Sequence, residues 1–184
     1  MRRASVGAGF TLVEFLVAMA VLAIVSVTAL PSFEDFRARQ RVRAAADNLY
    51  TDLQYARSEA VQRNAVVSVD FGTGTAWCYG IHLGAGGCDC ATANSCNIKV
   101  VSGADYRGVQ VSSAAFTGSD TETGYQIDPR RGQSVDSANT PVTGTVLLAN
   151  QNSQSVRADV NAIGRVRLCS PDGTVPGYPT CPEE

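Results

Sequence analysis

Residues 9–30 of the 184-residue chain read GFTLVEFLVAMAVLAIVSVTAL, a long and nearly uninterrupted apolar run. Residues 15–30 contain no charged side chain and consist mostly of Val, Ala, Leu and Ile. With residues 10–13 included, the stretch approaches the about 20 residues that a helix needs to cross a bilayer. Arg2 and Arg3 lie on the short flank, which predicts that this end stays in the cytoplasm while the rest is translocated.

Glu14 is the charged exception in the apolar stretch. A carboxylate inside an apolar helix costs a few kcal/mol in lipid, so it usually has a partner or a function. The alternative is that Glu14, near the helix start, reaches toward the lipid head groups. A glycine precedes the apolar run, whereas a secretory signal peptide has its small cleavage-site residues after the run.

The motif GFTLVE at residues 9–14, followed by an apolar helix, resembles the class III signal of type IV pilins and type II secretion pseudopilins. The resemblance implies that a prepilin peptidase removes residues 1–9 by cutting between Gly9 and Phe10, and that the new amino group of Phe10 is methylated. It also implies that Glu14 pairs with the N-terminal amine of a neighbouring subunit. A fixed cation is what a buried carboxylate needs, so this assignment agrees with the physical expectation.

A helical pattern continues beyond the apolar stretch. Apolar residues recur at steps of three and four, which predicts one buried helix face: Val42, Ala45, Ala46, Leu49, Leu53, Ala56 and Ala60. We predict one helix over residues 10–63, about 80 Å long, with a kink at Pro31. Residues 10–31 would be its transmembrane and assembly half, and residues 32–63 its amphipathic half.

Residues 64–184 have the composition of a β domain, because short β-branched runs alternate there with Gly, Asn, Asp and Ser. The predicted strands are 66–71, 76–83, 98–101, 109–111, 125–127, 145–149, 156–160 and 165–169. The first two and the last two should form antiparallel hairpins. The predicted fold is therefore α+β, with a long kinked helix packed on an antiparallel β domain. This plan resembles the GspH/FimT/FimU branch of the minor pilins.

Six cysteines follow the predicted membrane segment, and translocation would place them all in an oxidising space: Cys78, Cys88, Cys90, Cys96, Cys169 and Cys181. Cys169 and Cys181 enclose a tail rich in Pro and Gly, so we predict that they pair and hold the C-terminal segment. The other four allow three connectivities. A zinc site on Cys88, Cys90, Cys96 and His82 is the alternative, but the Cys-x-Cys spacing fits structural zinc poorly. We therefore predict disulfides and no metal.

Charge and motifs argue against catalysis and against general affinity for nucleic acid. The formal net charge is −2 and the pI is near 5.4, which gives no overall attraction to a polyanion. His82 is the only histidine, and no nucleophile elbow, phosphate-binding glycine loop or paired carboxylates occur. We predict a non-enzyme without a cofactor.

Three functions remain open from the sequence. One is a minor pilin that primes or caps a type IV pilus by helix–helix packing, with other major and minor pilins, the inner-membrane assembly platform and the prepilin peptidase as partners. Another is a GspH-type pseudopilin of type II secretion. In each case the resemblance implies a single-pass inner-membrane protein before assembly, and a pilus, periplasmic or cell-surface location afterwards.

The remaining function is a FimT-like minor pilin that binds double-stranded DNA for uptake in natural transformation. Arg165 and Arg167 are two apart on a predicted strand, so their side chains should face the same way, and Arg157 lies on the facing strand. Arginines in such a cluster can bind phosphates without reading sequence. FimT-like proteins resemble this chain here, since they carry a Gly-Arg-x-Arg element tied to DNA binding. The alternative is that the arginines pair with Asp159, Asp172 or a neighbouring pilin.

Overall fold

The computed structural model describes residues 10–118 and 123–182, without the side chains of residues 27–32. The chain divides into two compact units, residues 1–37 and 38–184. The second unit contains the hydrophobic core and all three disulfides. It therefore has a core of its own, as an independently folding domain requires.

One long helix begins the described chain. Helix α1 spans Leu12–Arg63, in agreement with the predicted helix. Its first turn is capped by Thr11, whose Oγ1 accepts a hydrogen bond from the backbone N–H of Glu14 at 3.3 Å. Its end is marked by Asn64, which has a φ of 49°, the left-handed conformation that commonly terminates helices. The helix continues through position 31, and the kink predicted at Pro31 stays a prediction.

The structure holds no helix whose described residues combine the length and the apolar character needed to cross a membrane. The transmembrane assignment of residues 10–31 stays a prediction. The leader predicted at residues 1–9, with Gly9 at its end, lies outside the described residues.

Two antiparallel sheets follow the helix. Sheet A has the strand order β3-β2-β1-β5-β6 and sheet B the order β4-β7-β8-β9. The strands are β1 Val67–Gly72, β2 Cys78–Leu83, β3 Lys99–Ser102, β4 Val109–Thr117, β5 Gly124–Ile127, β6 Ser134–Val135, β7 Thr143–Asn150, β8 Ser155–Val160 and β9 Val166–Cys169. The observed architecture confirms the predicted α+β fold class.

Both predicted hairpins are present. In the first, β1 pairs with β2, and in the second, β8 pairs with β9. Two details differ from the prediction. Strand β4 extends to Thr117, beyond its predicted end at residue 111. The alternating pattern did not predict this extension because a bulge between Val111 and Ser113 interrupts it. The two-residue strand β6 is too short to leave a periodic signal in the sequence.

The core of residues 38–184 lies between the helix and the two sheets. All seven apolar positions predicted on the helix face, from Val42 to Ala60, are buried. They belong to the same hydrophobic cluster as the inner faces of both sheets. A polar network joins the helix to sheet A, since buried Asp52 accepts hydrogen bonds from Tyr79 Oη at 2.7 Å and from Lys99 Nζ at 2.6 Å.

The cysteines form three disulfides, which join Cys78 to Cys90, Cys88 to Cys96, and Cys169 to Cys181. The sulfur atoms of the alternative zinc site are therefore held in disulfide bonds. The last disulfide closes a C-terminal segment that returns to the helix, where Tyr178 Oη donates a hydrogen bond to Asp47 Oδ1 at 2.7 Å. Arg43 lies over the same tyrosine ring, 5.8 Å from its centroid.

The Cys78–Cys90 disulfide ties a loop, residues 84–97, to strand β2 on the outer face of sheet A, and the Cys88–Cys96 disulfide cross-links this loop internally. Gly80 on β2 makes this packing possible, because a methyl group there would lie 2.7 Å from Cys88 Sγ and closer still to Cys96 Sγ. Asp70 lies on the same face and accepts a hydrogen bond from the backbone N–H of Cys88 at 2.9 Å. Burial is the main cause that raises the pKa of Asp70, and the Cys88 N–H and then His82 partly oppose it.

Candidate functional site

The outer face of sheet B carries the three arginines that the sequence singled out. Along β8 the residues Val156, Ala158 and Val160 point into the core, so Arg157 and Asp159 point outward. On the neighbouring strand Arg167 lies directly opposite Asp159. Strand pairing thus brings side chains from two separate segments onto one surface.

An open groove of about 410 Å³ lies on this surface. Arg157, Arg165 and Arg167 all line it. Polar groups also line it: Thr117 on β4, Thr143 and Thr145 on β7, Asp159 on β8 and Asn161 in the turn that follows β8. Arg165 and Arg167 are exposed, so their guanidinium groups face solvent rather than the core.

Arg165 lies in the turn just before β9 rather than within the strand. The turn is closed by the Asn161 side chain, whose Oδ1 accepts a hydrogen bond from the Arg165 N–H at 2.8 Å. Gly164 has a φ of +74°, and a side chain there would overlap the carbonyl oxygen of Gly132. Glycine is therefore required both for the backbone conformation and for the close approach of a second turn.

Arg157 forms an ion pair inside the groove. Its Nε lies 2.7 Å from Asp159 Oδ1, and the two side chains are only 20% and 26% exposed. The pairing with Asp159 that the sequence analysis gave as an alternative is therefore observed for Arg157. Of the described residues that line the groove, only Asp159 is acidic. It reduces the positive charge that the groove presents to an anion.

The groove has the chemistry of an anion site. Exposed guanidinium groups can form charge-assisted, bidentate hydrogen bonds to phosphate or carboxylate oxygens. Threonine hydroxyl groups along β4 and β7 can add neutral hydrogen bonds. Among the described residues no group of three or more His, Cys, Asp and Glu is arranged to hold a metal ion.

The beginning of helix α1 is the second candidate site. From Phe10 to Val25 every side chain is exposed, and the large apolar ones from Leu12 to Val25 are between 55% and 75% exposed. Glu14 lies in the first helical turn, where the helix dipole favours a negative charge. Within the described part of the chain its carboxylate forms no ion pair.

Two family profiles match the chain, one on the helix start and one on the domain that follows. The profile of the family described as Type II transport protein GspH matches residues 45–164, and the prokaryotic N-terminal methylation motif matches residues 7–30. Comparison with curated proteins gives no match.

Two crystal structures of the type IV minor pilin FimU from Pseudomonas aeruginosa strain PAO1 are similar to this chain. In space group P21, FimU is 19% identical, with 72% of this chain and 91% of that chain covered and a TM-score of 0.51. In space group P65 the identity is 18%, the coverage 68% and 90%, and the TM-score 0.46. The first similarity shows a shared fold. Since the GspH profile covers more than half of the chain and the methylation motif precedes it, the chain belongs to the GspH/FimT/FimU family of pilins and pseudopilins.

Proposed function

We propose that this chain is a minor pilin that takes part in type IV pilus assembly, in a priming or tip complex, by helix–helix packing. The exposed apolar surface of helix α1 carries the proposal. A contiguous apolar helix surface of this length needs a cover in lipid or in a filament, because large exposed apolar surfaces mark interaction sites. The role is structural rather than enzymatic.

The proposal includes processing and assembly at the N-terminus. Prepilin peptidase would cut between Gly9 and Phe10, the Phe10 amine would be methylated, and Glu14 would pair with the amine of a neighbouring pilin. The methylation motif supports this order of events. The protein would be anchored in the inner membrane before assembly, with major and minor pilins and the assembly platform as partners. It would lie in the pilus afterwards.

The test uses the full chain in cells that assemble its filament. Glu14→Ala should reduce its incorporation into sheared filaments at least about tenfold, because an unpaired amine or carboxylate in an apolar interface is costly. Glu34→Gln is the matched control, since Glu34 is an exposed acid on the same helix. Normal incorporation of Glu14→Ala would contradict the proposal.

Deletion of the gene distinguishes the type IV pilus from the type II secretion system. Loss of pili supports a role in the pilus, and loss of secreted proteins with normal pili supports a GspH-type pseudopilin.

A second candidate function, capture of double-stranded DNA for uptake, is favoured by the groove. The observation in its support is that Arg157, Arg165 and Arg167 line one surface although two strands and a turn contribute them. Contacts of this kind neutralise phosphates and do not distinguish sequences.

A fragment of residues 33–184 is suited to a DNA-binding test because it contains the whole unit 38–184 and its core. Its affinity for duplex DNA should fall steeply between about 50 and 200 mM salt. Arg165→Gln with Arg167→Gln should weaken binding and reduce the salt slope by about one for each phosphate that is no longer neutralised. If the unaltered domain does not bind DNA at low salt, or if the double variant binds equally well, this function is excluded.

A further inference from the structure

A second turn lies against the turn that carries Arg165. Asp128 closes this second turn, since its carbonyl oxygen accepts a hydrogen bond from the N–H of Gly132 at 2.8 Å. Arg130 and Arg131 are at its tip and both are exposed. The two turns belong to different sheets and are more than thirty positions apart in the sequence.

Close packing of two glycines brings the turns together. Gly164 approaches the carbonyl oxygen of Gly132 so closely that a side chain would not fit between them. Arg131 precedes Gly132 and Arg165 follows Gly164 in the sequence. Because consecutive Cα atoms are about 3.8 Å apart, the Cα atoms of these two arginines are at most about 14 Å apart.

Arg57 of helix α1 lies beneath both turns. Its Nη1 donates a hydrogen bond to the carbonyl oxygen of Gly164 at 3.4 Å. Its Nε would lie 2.7 Å from a methyl group on Gly132. The helix thus contributes a further positive charge at the junction of the two turns.

The result is a concentration of positive charge in a chain whose formal net charge is −2. Within residues 10–118 and 123–182, six basic residues lie in the groove or at the two turns, against two acids there, Asp128 and Asp159. The six are Arg57, Arg130, Arg131, Arg157, Arg165 and Arg167. Local charge of one sign governs the attraction of a polyanion more than net charge does.

We propose that the turn carrying Arg130 and Arg131 extends the groove into one continuous track for a nucleic-acid backbone, which crosses from sheet B to the turn of sheet A. This proposal rests on the DNA-binding function proposed above and adds a second contact element to it. Measured along the axis of a duplex, a span of up to about 14 Å covers about four phosphates of one strand, which are about 3.4 Å apart along that axis. Arg165 and Arg131 are therefore close enough to contact one backbone segment.

The test compares matched double variants of the domain, residues 33–184, on one DNA duplex across a salt series. Arg130→Gln with Arg131→Gln should weaken binding at least about fivefold at low salt and make the salt slope shallower by about one to two. The matched control is Arg41→Gln with Arg107→Gln. Arg41 donates to the Arg107 carbonyl at 3.4 Å, at a part of helix α1 about 24 Å along its axis from Arg57.

The outcomes separate this proposal from the function on which it rests. If the unaltered domain binds DNA and Arg165→Gln with Arg167→Gln weakens it while the Arg130 and Arg131 variant does not, the track is wrong and the groove alone binds. If the control pair weakens binding as much, the effect is one of total charge, and the track is also wrong. If the unaltered domain does not bind, both proposals fail. Thermal unfolding of each variant verifies that the exposed substitutions leave the fold intact.

Discussion

The outer faces of the two sheets differ in what covers them. On sheet A, residues 84–97 and two disulfides lie over the face, and Ser68 there is only 2% exposed. On sheet B the corresponding face is open, and Arg167 on it is exposed. Each is the face of an antiparallel sheet that does not pack on the core, and such a face is ordinarily exposed to solvent. The disulfide-bonded loop therefore decides which of the two remains available for a partner.

The covering loop also accounts for the small residues beneath it. Gly80 faces the Cys88–Cys96 disulfide, and Gly72 lies near the sulfur atoms of Cys78 and Cys90. On sheet B the outward positions are instead occupied by Thr145, Arg157 and Asp159, which extend into the groove. The contrast predicts that substitutions under the loop change the free energy of unfolding strongly, whereas substitutions in the groove change it little.

The largest expected effect is that of Gly80→Ala. The new methyl group would overlap sulfur atoms that a disulfide holds in place, so the loop must lift or the pairing must change. We expect a loss of about 3 kcal/mol in the free energy of unfolding. Gly86→Ala is the control, since nothing lies within 4 Å of its Cβ position. Chemical unfolding and peptide mapping of the disulfides provide the measurement, and equal stability of the two variants would refute the covering role of the loop.

Removal of the Cys88–Cys96 disulfide should have the next largest effect. Cys88→Ser with Cys96→Ser releases a cross-link between residues eight positions apart. A disulfide that closes so short a loop restricts the unfolded chain and thereby stabilises the folded state by about 2 kcal/mol. We expect the variant to lose this amount in unfolding free energy. Protease digestion should then cut within residues 84–97 much faster than in the unaltered domain. Unchanged protection would mean that the Cys78–Cys90 disulfide and packing hold the loop on sheet A without the internal cross-link.

On the open face, Asp159→Asn should change binding more than stability. Asparagine keeps the shape of the side chain and removes the charge that offsets Arg157. We expect a gain of about fivefold in DNA affinity at low salt and a change in unfolding free energy within about 1 kcal/mol. Asp172→Asn, at an exposed position outside the groove lining, is the control. Weaker binding by Asp159→Asn would show that the aspartate positions Arg157 for the ligand instead.

The smallest expected effect concerns Asp70 under the loop. Burial raises its pKa in the folded state above the unfolded value of about 3.9. The folded state therefore holds the proton more tightly, and the stabilising contribution is present in acid and lost as the pH rises through the folded pKa. Asp70→Asn removes this dependence.

The pH test of Asp70 compares unfolding free energies at pH 7 and near pH 4. The unaltered domain should gain stability relative to Asp70→Asn on acidification, by less than about 1 kcal/mol because the side chain is partly solvated. An opposite sign would mean that the hydrogen bond from Cys88 and the charge on His82, rather than burial, govern this carboxyl group.

Features that depend on neighbours in the sequence were predicted well. The bounds of helix α1, its buried face from Val42 to Ala60 and both hairpins follow from apolar periods of 3.6 and 2 and from turn residues. Family membership follows from residues 9–14 and is confirmed by the matching profiles. Strand β6 and the extension of β4 were missed, since a two-residue strand and a bulged strand have no clear period.

Local spacing along the chain accounts for the long helix, the apolar residues at its beginning, the β composition and the two arginines two positions apart. The tertiary structure alone decided the connectivity of Cys78, Cys88, Cys90 and Cys96, the covering of sheet A, and the meeting of the Arg131 and Arg165 turns. The covering of sheet A and the meeting of the two turns join segments that are far apart in the chain. The four cysteines lie close together in the sequence, and their spacing does not distinguish the three possible connectivities. Only close packing, as at Gly80 and between Gly132 and Gly164, selects one arrangement among those that the sequence allows.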